Sequence, residues 1–171
     1  MLVLPCIFNG IIMNVITIKN SSVAYKNFRG IGGEYNNEGD RNFNVVIDET
    51  TARELKNAGY NIRVQPGRKE GDDDRYLLKI NVSYRFVEPN IYVIEDGTRV
   101  KITEDTVGRL DGANIDFVDL SFTPSHWKKG AREGVAAYLK TMYVYLQVDE
   151  LDREWNENHP VYDDDEETAP F

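Results

Sequence analysis

Residues 76–86 have the sequence YLLKINVSYRF, the longest segment of the chain in which apolar and polar side chains alternate. The apolar positions share one side of the backbone: Leu78, Ile80, Val82, Tyr84 and Phe86. The polar positions share the other side: Lys79, Asn81, Ser83 and Arg85. A period of two residues is typical of a β-strand with one buried face. The segment therefore predicts a strand that separates a core from solvent.

Shorter segments of the same kind flank this strand. They predict strands at Val15–Lys19, Arg41–Ile47, Ile91–Ile94, Arg99–Ile102, Ile115–Thr123 and Val135–Val148. Two short helices are predicted, one capped by Asp48 or Thr51 and ending near Ala58, the other over Glu104–Leu110. Loops are predicted at Gly30–Asp40, Pro66–Arg75 and Pro124–Gly134.

This order of elements indicates a mainly β fold. About seven short strands with one or two short helices favour an OB-like Greek-key barrel. A β-sandwich is the alternative, because the two folds have the same side-chain periodicity.

The acidic residues are concentrated at the C-terminal end. The chain has 29 acidic and 20 basic residues and a net charge of −9. Residues 149–171 contain ten of the acidic residues and one basic residue, Arg153, which leaves 19 of each sign in residues 1–148. An acidic end on a neutral body is typical of a disordered interaction tail, and a solubilising terminus is the alternative.

The N-terminal residues 1–12, MLVLPCIFNGII, are apolar and uncharged. They lack the basic region of a signal peptide and are shorter than the roughly 20 residues that span a bilayer. We expect a non-functional extension with translation starting at Met13, and a short buried strand is the alternative. The predicted domain is residues 13–148.

The sequence offers little for catalysis or for holding a cofactor. It has two histidines and one cysteine, and no phosphate-cradling GxxxxGK[ST] segment. Asp72-Asp73-Asp74 lacks the ligand spacing of a calcium loop, so a solvated charge run is the favoured interpretation. We predict no enzymatic activity, no cofactor and no metal.

Cations and aromatic rings alternate at several places, as a single strand of DNA requires for phosphate contacts and base stacking. The predicted DNA-binding residues are Lys26, Phe28, Arg29, Arg41, Lys79, Arg85, Trp127, Lys128, Lys129, Lys140, Tyr143 and Tyr145. Phe43, Tyr84 and Phe86 lie on apolar faces, so core packing is expected for them. Tyr143 and Tyr145 are expected on the side of their strand that faces away from the core.

The end of the tail has the composition of a docking segment. Its expected partner-binding residues are Asp163, Asp164, Asp165, Glu166, Glu167, Pro170 and Phe171. An aromatic ring and a carboxylate can enter an apolar pocket lined by basic groups, and the preceding acids can follow a basic groove.

These residues resemble those of a known family. Acidic residues followed by Pro170-Phe171 are similar to the end of bacterial single-stranded-DNA-binding proteins, although Thr168 and Ala169 depart from that pattern. The segments at residues 26–30, 41–43 and 138–143 resemble phage proteins of the same function. The resemblance implies an OB fold, non-specific binding of single strands, no cofactor, and a role in phage replication, recombination or repair in the host cytoplasm. It also implies replication or recombination proteins as partners of the tail.

Two other classes of function are compatible with the sequence. The net charge of −9 motivates an acidic DNA mimic that inhibits host DNA-processing or defence enzymes, but a mimic spreads its acids over a folded surface. A carboxylate-based nuclease is the third hypothesis, and no residue spacing supports it. The size of the domain is compatible with a homo-oligomer, and no membrane association is expected.

Overall fold

The computed structural model describes residues 2–8, 11–95, 97–148 and 158, with side chains from Asn14 onward. Ten strands, one α-helix and one 3-10 helix occur in these residues. In chain order they are β1 (Leu2–Phe8), β2 (Ile11–Ser21), β3 (Val23–Asn27), β4 (Arg41–Ile47), α1 (Glu49–Asn57), β5 (Ile62–Gln65), β6 (Arg75–Val82), β7 (Asn90–Glu95), β8 (Thr98–Ile102), the 3-10 helix (Val107–Asp111), β9 (Ile115–Lys129) and β10 (Arg132–Leu146).

The strands form a barrel because β2 and β3 act as one bent strand. β2 pairs with β9, whereas β3 pairs with β4, and the carbonyl of Ser22 between them accepts a 2.9 Å hydrogen bond from the Val46 N–H. The pairs β4–β6, β6–β10 and β10–β9 complete the circuit, and β6–β10 is its parallel pair. A circuit of five strands with this Greek-key order is that of an OB-like barrel, which confirms the predicted fold class over the β-sandwich.

The remaining strands extend this circuit. β5 pairs with the beginning of β6, and the β7–β8 hairpin pairs with the end of β10 through β7. β10 therefore changes its neighbour from β6 at Tyr138 to β7 at Thr141, and a β-bulge at Lys140 lies between these two positions. β1 pairs with β2 as an edge strand, so Leu2–Phe8 of the expected N-terminal extension are β-structure. That these residues have no function stays a prediction.

The core lies inside the barrel and is made by alternate residues of its strands. Its fully buried side chains include Phe43 and Val45 on β4, Ile80 on β6, and Phe122 on β9. Burying one side chain of this size contributes roughly 1.5–3 kcal/mol. The inward face of β6 is the face that the alternation of residues 76–82 predicts, so the opposite side, which carries Lys79, points away from the core.

Helix α1 begins at the predicted cap. The Asp48 carboxylate accepts hydrogen bonds of 2.8 Å from the backbone N–H and from the hydroxyl of Thr51. The bond from the Thr51 N–H, followed by the hydroxyl bond, holds the pKa of Asp48 below its usual value of 3.8. Gly59 follows the helix with a φ of 100°, a backbone conformation that glycine adopts without a Cβ clash.

Several predicted boundaries are wrong for reasons of pairing. The strand predicted to Phe86 ends at Val82, because Val82 pairs with Arg41 at the beginning of β4. The loop predicted at Pro124–Gly134 is instead a hairpin of β9 and β10. Pro124 is compatible with a strand at this position. β2 pairs with β9 only between Val118 and Phe122, so Pro124 lies beyond the β2–β9 ladder, and its missing N–H removes no hydrogen bond from that ladder.

The shorter elements also differ from the prediction. The helix predicted over Glu104–Leu110 is a 3-10 helix at Val107–Asp111. β3 and β5 occupy stretches in which no strand is predicted, because each is only four or five residues long and has no clear alternation. The predicted tail at residues 149–171 lies outside the described residues except for Asn158.

Candidate nucleic-acid interface

The outer side of β6 carries a cation at the middle of a polar surface. Lys79 is exposed and pairs with Asn44 on β4. Two residues further along, Asn81 pairs with Asn42 on one side and with Tyr138 of β10 on the other. The Asn81 side chain donates a 3.2 Å hydrogen bond to the Ala137 carbonyl, which fixes it against β10. Tyr138 is 39% exposed, so a ring and a cation lie on neighbouring strands of the same outer surface.

A second ring lies at the edge of this surface. Tyr25 on β3 is 53% exposed and has a φ of 50°, within a register irregularity between Ala24 and Asn27. Its hydroxyl accepts a 3.1 Å hydrogen bond from the Gln65 side chain of β5. The Arg63 guanidinium lies 5.5 Å from the centre of its ring. The irregular backbone thus directs Tyr25 towards β5, where a cation contacts one face of the ring.

We call this surface the central outer face. Its rings and cations are Tyr25, Arg63, Lys79 and Tyr138, together with Arg75, an exposed residue at the beginning of β6 that pairs with Gln65 of β5.

The loop between β3 and β4 borders the central outer face and has a fixed shape. The Asn27 side chain accepts a 2.9 Å hydrogen bond from the Ile31 N–H and donates a 3.1 Å hydrogen bond to the Ile31 carbonyl. Further along the loop, the Gly39 N–H donates a 2.7 Å hydrogen bond to the Gly30 carbonyl. The buried Asn42 side chain donates to Asn36 at 2.9 Å. A shallow depression between this loop and β6 is lined by Gly33, Glu34, Tyr35, Asn36, Asn37, Asp40 and Lys79.

The hairpin arm, residues 124–134 of β9 and β10, borders the other end of the face. Trp127 lies opposite Gly134 in the register and is 44% exposed. A Cβ on Gly134 would lie 2.8 Å from the indole Cζ2, so the ring rests on the bare backbone of β10. Lys128, Lys129 and Arg132 at the tip are exposed, with one acid, Glu133, among them.

A third group of rings lies at the far end of β10, and we call it the ring cluster. Tyr143 stacks on Tyr92 of β7, with ring centres 5.6 Å apart, and Tyr145 stacks on Phe117 of β9 at 4.3 Å. The Arg99 guanidinium lies 4.8 Å from the centre of the Tyr92 ring and donates a 3.3 Å hydrogen bond to the Tyr143 hydroxyl. Each of the four rings is partly exposed on the outer side of the sheet.

The family model for the phage ssDNA-binding domain matches residues 9–168. The chain belongs to the phage ssDNA-binding domain family. No curated protein has a matching sequence.

The fold of this phage ssDNA-binding family member is similar to solved structures of the single-stranded DNA-binding protein from bacteriophage Enc34. One of these structures has a TM-score of 0.53 and 10% identity, and the match covers 90% of this chain and 99% of that chain. A complex of the Enc34 protein with ssDNA also has a TM-score of 0.53 and 10% identity, with 86% and 97% covered. Its C-terminal truncation has a TM-score of 0.52 and 9% identity, with 86% and 96% covered. At this identity the likeness shows the fold.

Phe28 is wrong as a predicted stacking residue of this family member. Its ring is fully buried and stacks on Phe43, with ring centres 5.1 Å apart, so no base can reach it. The Phe28 N–H donates to Asp111 at 2.7 Å, and the next N–H, that of Arg29, donates to the same carboxylate at 3.0 Å. The Arg29 side chain remains exposed.

Two predicted cations are engaged inside the protein. Arg41 donates a 3.1 Å hydrogen bond to the Phe28 carbonyl, pairs with Glu104 at 3.2 Å, and lies 5.4 Å from the centre of the Tyr84 ring. Lys26 donates a 2.6 Å hydrogen bond to the Ala113 carbonyl. Burial raises the pKa of Tyr84 to about 12, with the Arg41 charge acting in the opposite direction. We therefore assign Arg41 and Lys26 to the framework rather than to the interface.

The other predicted residues are accessible but not all adjacent. Lys79 lies on the central outer face, and Trp127, Lys128 and Lys129 lie on the hairpin arm. Tyr143 and Tyr145 are on the outer side of β10, as expected, within the ring cluster. Arg85 is exposed in the loop after β6, and Lys140 is at the bulge of β10.

The predicted set omits several residues that the structure places on these surfaces: Tyr25, Arg63, Arg75, Tyr92, Arg99, Phe117, Arg132 and Tyr138. Arg63 lies on β5, where no strand is predicted, so the sequence does not indicate on which side of the sheet its side chain lies. Arg75 precedes Tyr76 and continues the polar side of the alternating segment, so the alternation could have predicted its position on the outer side of β6.

In the described part of the chain, no three His, Cys, Asp or Glu side chains are grouped so that they could hold a metal ion. No helix in residues 11–95 or 97–148 is long and apolar enough to cross a membrane.

Proposed function

We propose that the chain binds single-stranded DNA, with little sequence preference, on the central outer face and the hairpin arm. The observation that carries this proposal is the position of Lys79 beside Tyr138 on the neighbouring strand. Tyr25 and Arg63 lie on one side of them, and Trp127 lies on the other side. The match to the phage ssDNA-binding domain family supports it.

The proposed contacts divide into two kinds. Lys79, Arg63 and Arg75, with Lys128, Lys129 and Arg132 on the arm, neutralise phosphates, and this contribution weakens as salt rises. Tyr25, Tyr138 and Trp127 stack on bases, and each stacked base contributes roughly 1–3 kcal/mol. Every base has an aromatic face, so the second kind of contact does not depend on sequence. Arg29, Arg85 and Lys140 stay predicted phosphate contacts at the margins.

The location of the face on the barrel agrees with this use. In OB folds the oligonucleotide-binding surface is the outer side of the second and third strands together with the loops beside them. In this circuit those strands are β4 and β6, the first loop is residues 28–40, and the hairpin arm joins the last two strands.

We further propose a role in phage DNA replication, recombination or repair in the host cytoplasm, without catalysis. Residues 149–171 would recruit replication or recombination proteins. Asp163, Asp164, Asp165, Glu166 and Glu167 would contact a basic groove of the partner, and Pro170 with Phe171 would enter an apolar pocket.

The test is a salt titration of binding to polythymidine and to a duplex of equal length, with the full chain and with a chain lacking residues 149–171. We expect binding to the single strand at low salt, with the logarithm of the affinity falling linearly with the logarithm of salt. The shortened chain should bind DNA at least as tightly, because the ten acids removed repel phosphates. Absence of single-strand binding by both chains would overturn the proposal and favour the DNA-mimic alternative.

A further inference from the structure

The outer side of β10 carries aromatic rings along its whole length. Trp127 rests on Gly134 at its beginning, Tyr138 follows beside Asn81, and Tyr143 and Tyr145 lie near its end. The three tyrosines project to the same side of β10, because Ala137, Leu139, Met142 and Val144 on the opposite side are buried. Trp127 belongs to β9 and lies on that side as well, since it pairs directly with Gly134. From Gly134 to Tyr145 the strand spans about 36 Å at roughly 3.3 Å per residue.

The bulge at Lys140 keeps this row continuous. A strand without a bulge would place Tyr138 and Tyr143, five residues apart, on opposite sides. The extra residue in the bulge of β10 puts Tyr138 and Tyr143 back on the same side of the sheet. The register shows this, because Tyr138 pairs with Thr123 and Tyr143 pairs with Asp119, and both partners face outward on β9. The row therefore passes from the central outer face onto the ring cluster without crossing the barrel.

Charges accompany the rings at the far end as they do at the near end. Arg99 contacts both Tyr92 and Tyr143, and Lys101 pairs with Tyr92 in the β7–β8 hairpin. The acid of this stretch, Asp119, accepts a 2.8 Å hydrogen bond from the Asn20 N–H, which offsets part of its charge. Cross-strand ring pairs also stabilise a sheet, but packing alone requires no cation on the exposed side.

We propose that the ring cluster is the second half of the single-strand site, and that a strand too long for the central outer face continues along β10 onto Tyr143, Tyr92, Tyr145 and Phe117. This inference rests on the proposed function. It makes the site bipartite: short strands use the central outer face and the hairpin arm, and longer strands use the ring cluster as well.

The test compares two oligothymidylates of about 5 and about 15 nucleotides, which lie near the lower and upper ends of the range of roughly 4–16 nucleotides seen for one OB fold. Full-length chains carrying Tyr143→Leu, Tyr145→Leu or Arg99→Gln are compared with the unmodified chain, and Tyr143→Phe and Tyr145→Phe are the matched controls that keep the rings. We expect the leucine variants to lose about ten-fold in affinity for the longer strand and nothing for the shorter one. The phenylalanine variants should bind both like the unmodified chain.

The outcomes separate the two proposals. If the unmodified chain binds neither strand, the proposed function itself fails. If the unmodified chain binds both strands, the variants decide between the two proposals. Leucine and glutamine variants that lose the same affinity for both lengths, or lose no affinity for either, would show that the bipartite site is wrong while the central proposal stands. Arg99→Gln removes an exposed side chain without leaving a cavity, so it gives a result even where a tyrosine variant unfolds.

Discussion

Trp127 packs against Gly134, its partner across the β9–β10 ladder, so closely that a Cβ at position 134 would lie 2.8 Å from the indole Cζ2. The contact exists because position 134 has no side chain, and it leaves Trp127 44% exposed. An indole held in one orientation loses little conformational freedom when a base stacks on it. We propose that the pair is a preformed stacking platform at the end of the proposed interface.

Replacing Gly134 by alanine tests this platform. The new methyl group would lie 2.8 Å from Cζ2 of Trp127, and φ at Gly134 is not in the left-handed region, so the indole has to move. We expect Gly134→Ala to weaken binding of polythymidine several-fold with little loss of stability. In a Trp127→Ala background the same change should have no further effect, and an additive effect in this double-mutant cycle would contradict the platform.

Arg41 should matter for stability rather than for DNA binding. Arg41→Met removes the hydrogen bond to the Phe28 carbonyl and the ion pair with Glu104. We expect this loss to lower the free energy of unfolding by about 1–3 kcal/mol. Arg85→Met, at an exposed position, is the matched control and should stay within about 0.5 kcal/mol. Urea unfolding measures both, and a large loss of DNA affinity by folded Arg41→Met would show that Arg41 binds the strand after all.

Two phenylalanines provide a contrast of position. Phe28→Ala empties a fully buried site and should cost about 3–5 kcal/mol of unfolding free energy. Phe86→Ala, at a residue that is 96% exposed, should leave stability within about 0.5 kcal/mol. Thermal unfolding of the two variants side by side checks the assignment, and equal losses would refute it.

Asp48 should make stability depend on pH at the acid end. Its pKa is lowered in the folded state, so its contribution is complete above the usual value of 3.8 and is lost as the pH falls below it through the lowered pKa. At neutral pH, Asp48→Ala should cost about 1 kcal/mol. The difference from the unmodified chain should shrink in acid, whereas Asp48→Asn should keep most of the cap at every pH.

The architecture was predictable where one face of a strand is buried. β4 has the predicted bounds, and β6 has the predicted inward face up to Val82, because burial imposes an alternation that the sequence must show. Phe28 and Phe86 were not predictable from this rule. Alternation continues past the last hydrogen-bonded pair of β6, which placed Phe86 in the core, and the Phe28 ring enters the core from a turn that has no period.

The candidate site was predictable in its chemistry but only in part in its residues. Lys79 and the pair of Tyr143 and Tyr145 follow from strand alternation and lie on the outer side. Arg41 could not be assigned, because an arginine beside a ring has the same local sequence whether it binds phosphate or, as here, Glu104. The bulge at Lys140 is a property of pairing with β9 and has no local signal, yet it aligns Tyr138 with Tyr143.

DNA binding at the outer side of β6 is the central proposal, and one pair of charge reversals tests it. Lys79→Glu places an acid on the central outer face, whereas Lys19→Glu makes the same change in net charge on β2, elsewhere in the circuit. Affinity for polythymidine is measured for both variants over a salt series. We predict that Lys79→Glu lowers the affinity at least ten-fold and flattens the salt dependence, while Lys19→Glu has little effect. Equal effects of the two reversals, or none from Lys79→Glu, would contradict binding at this face.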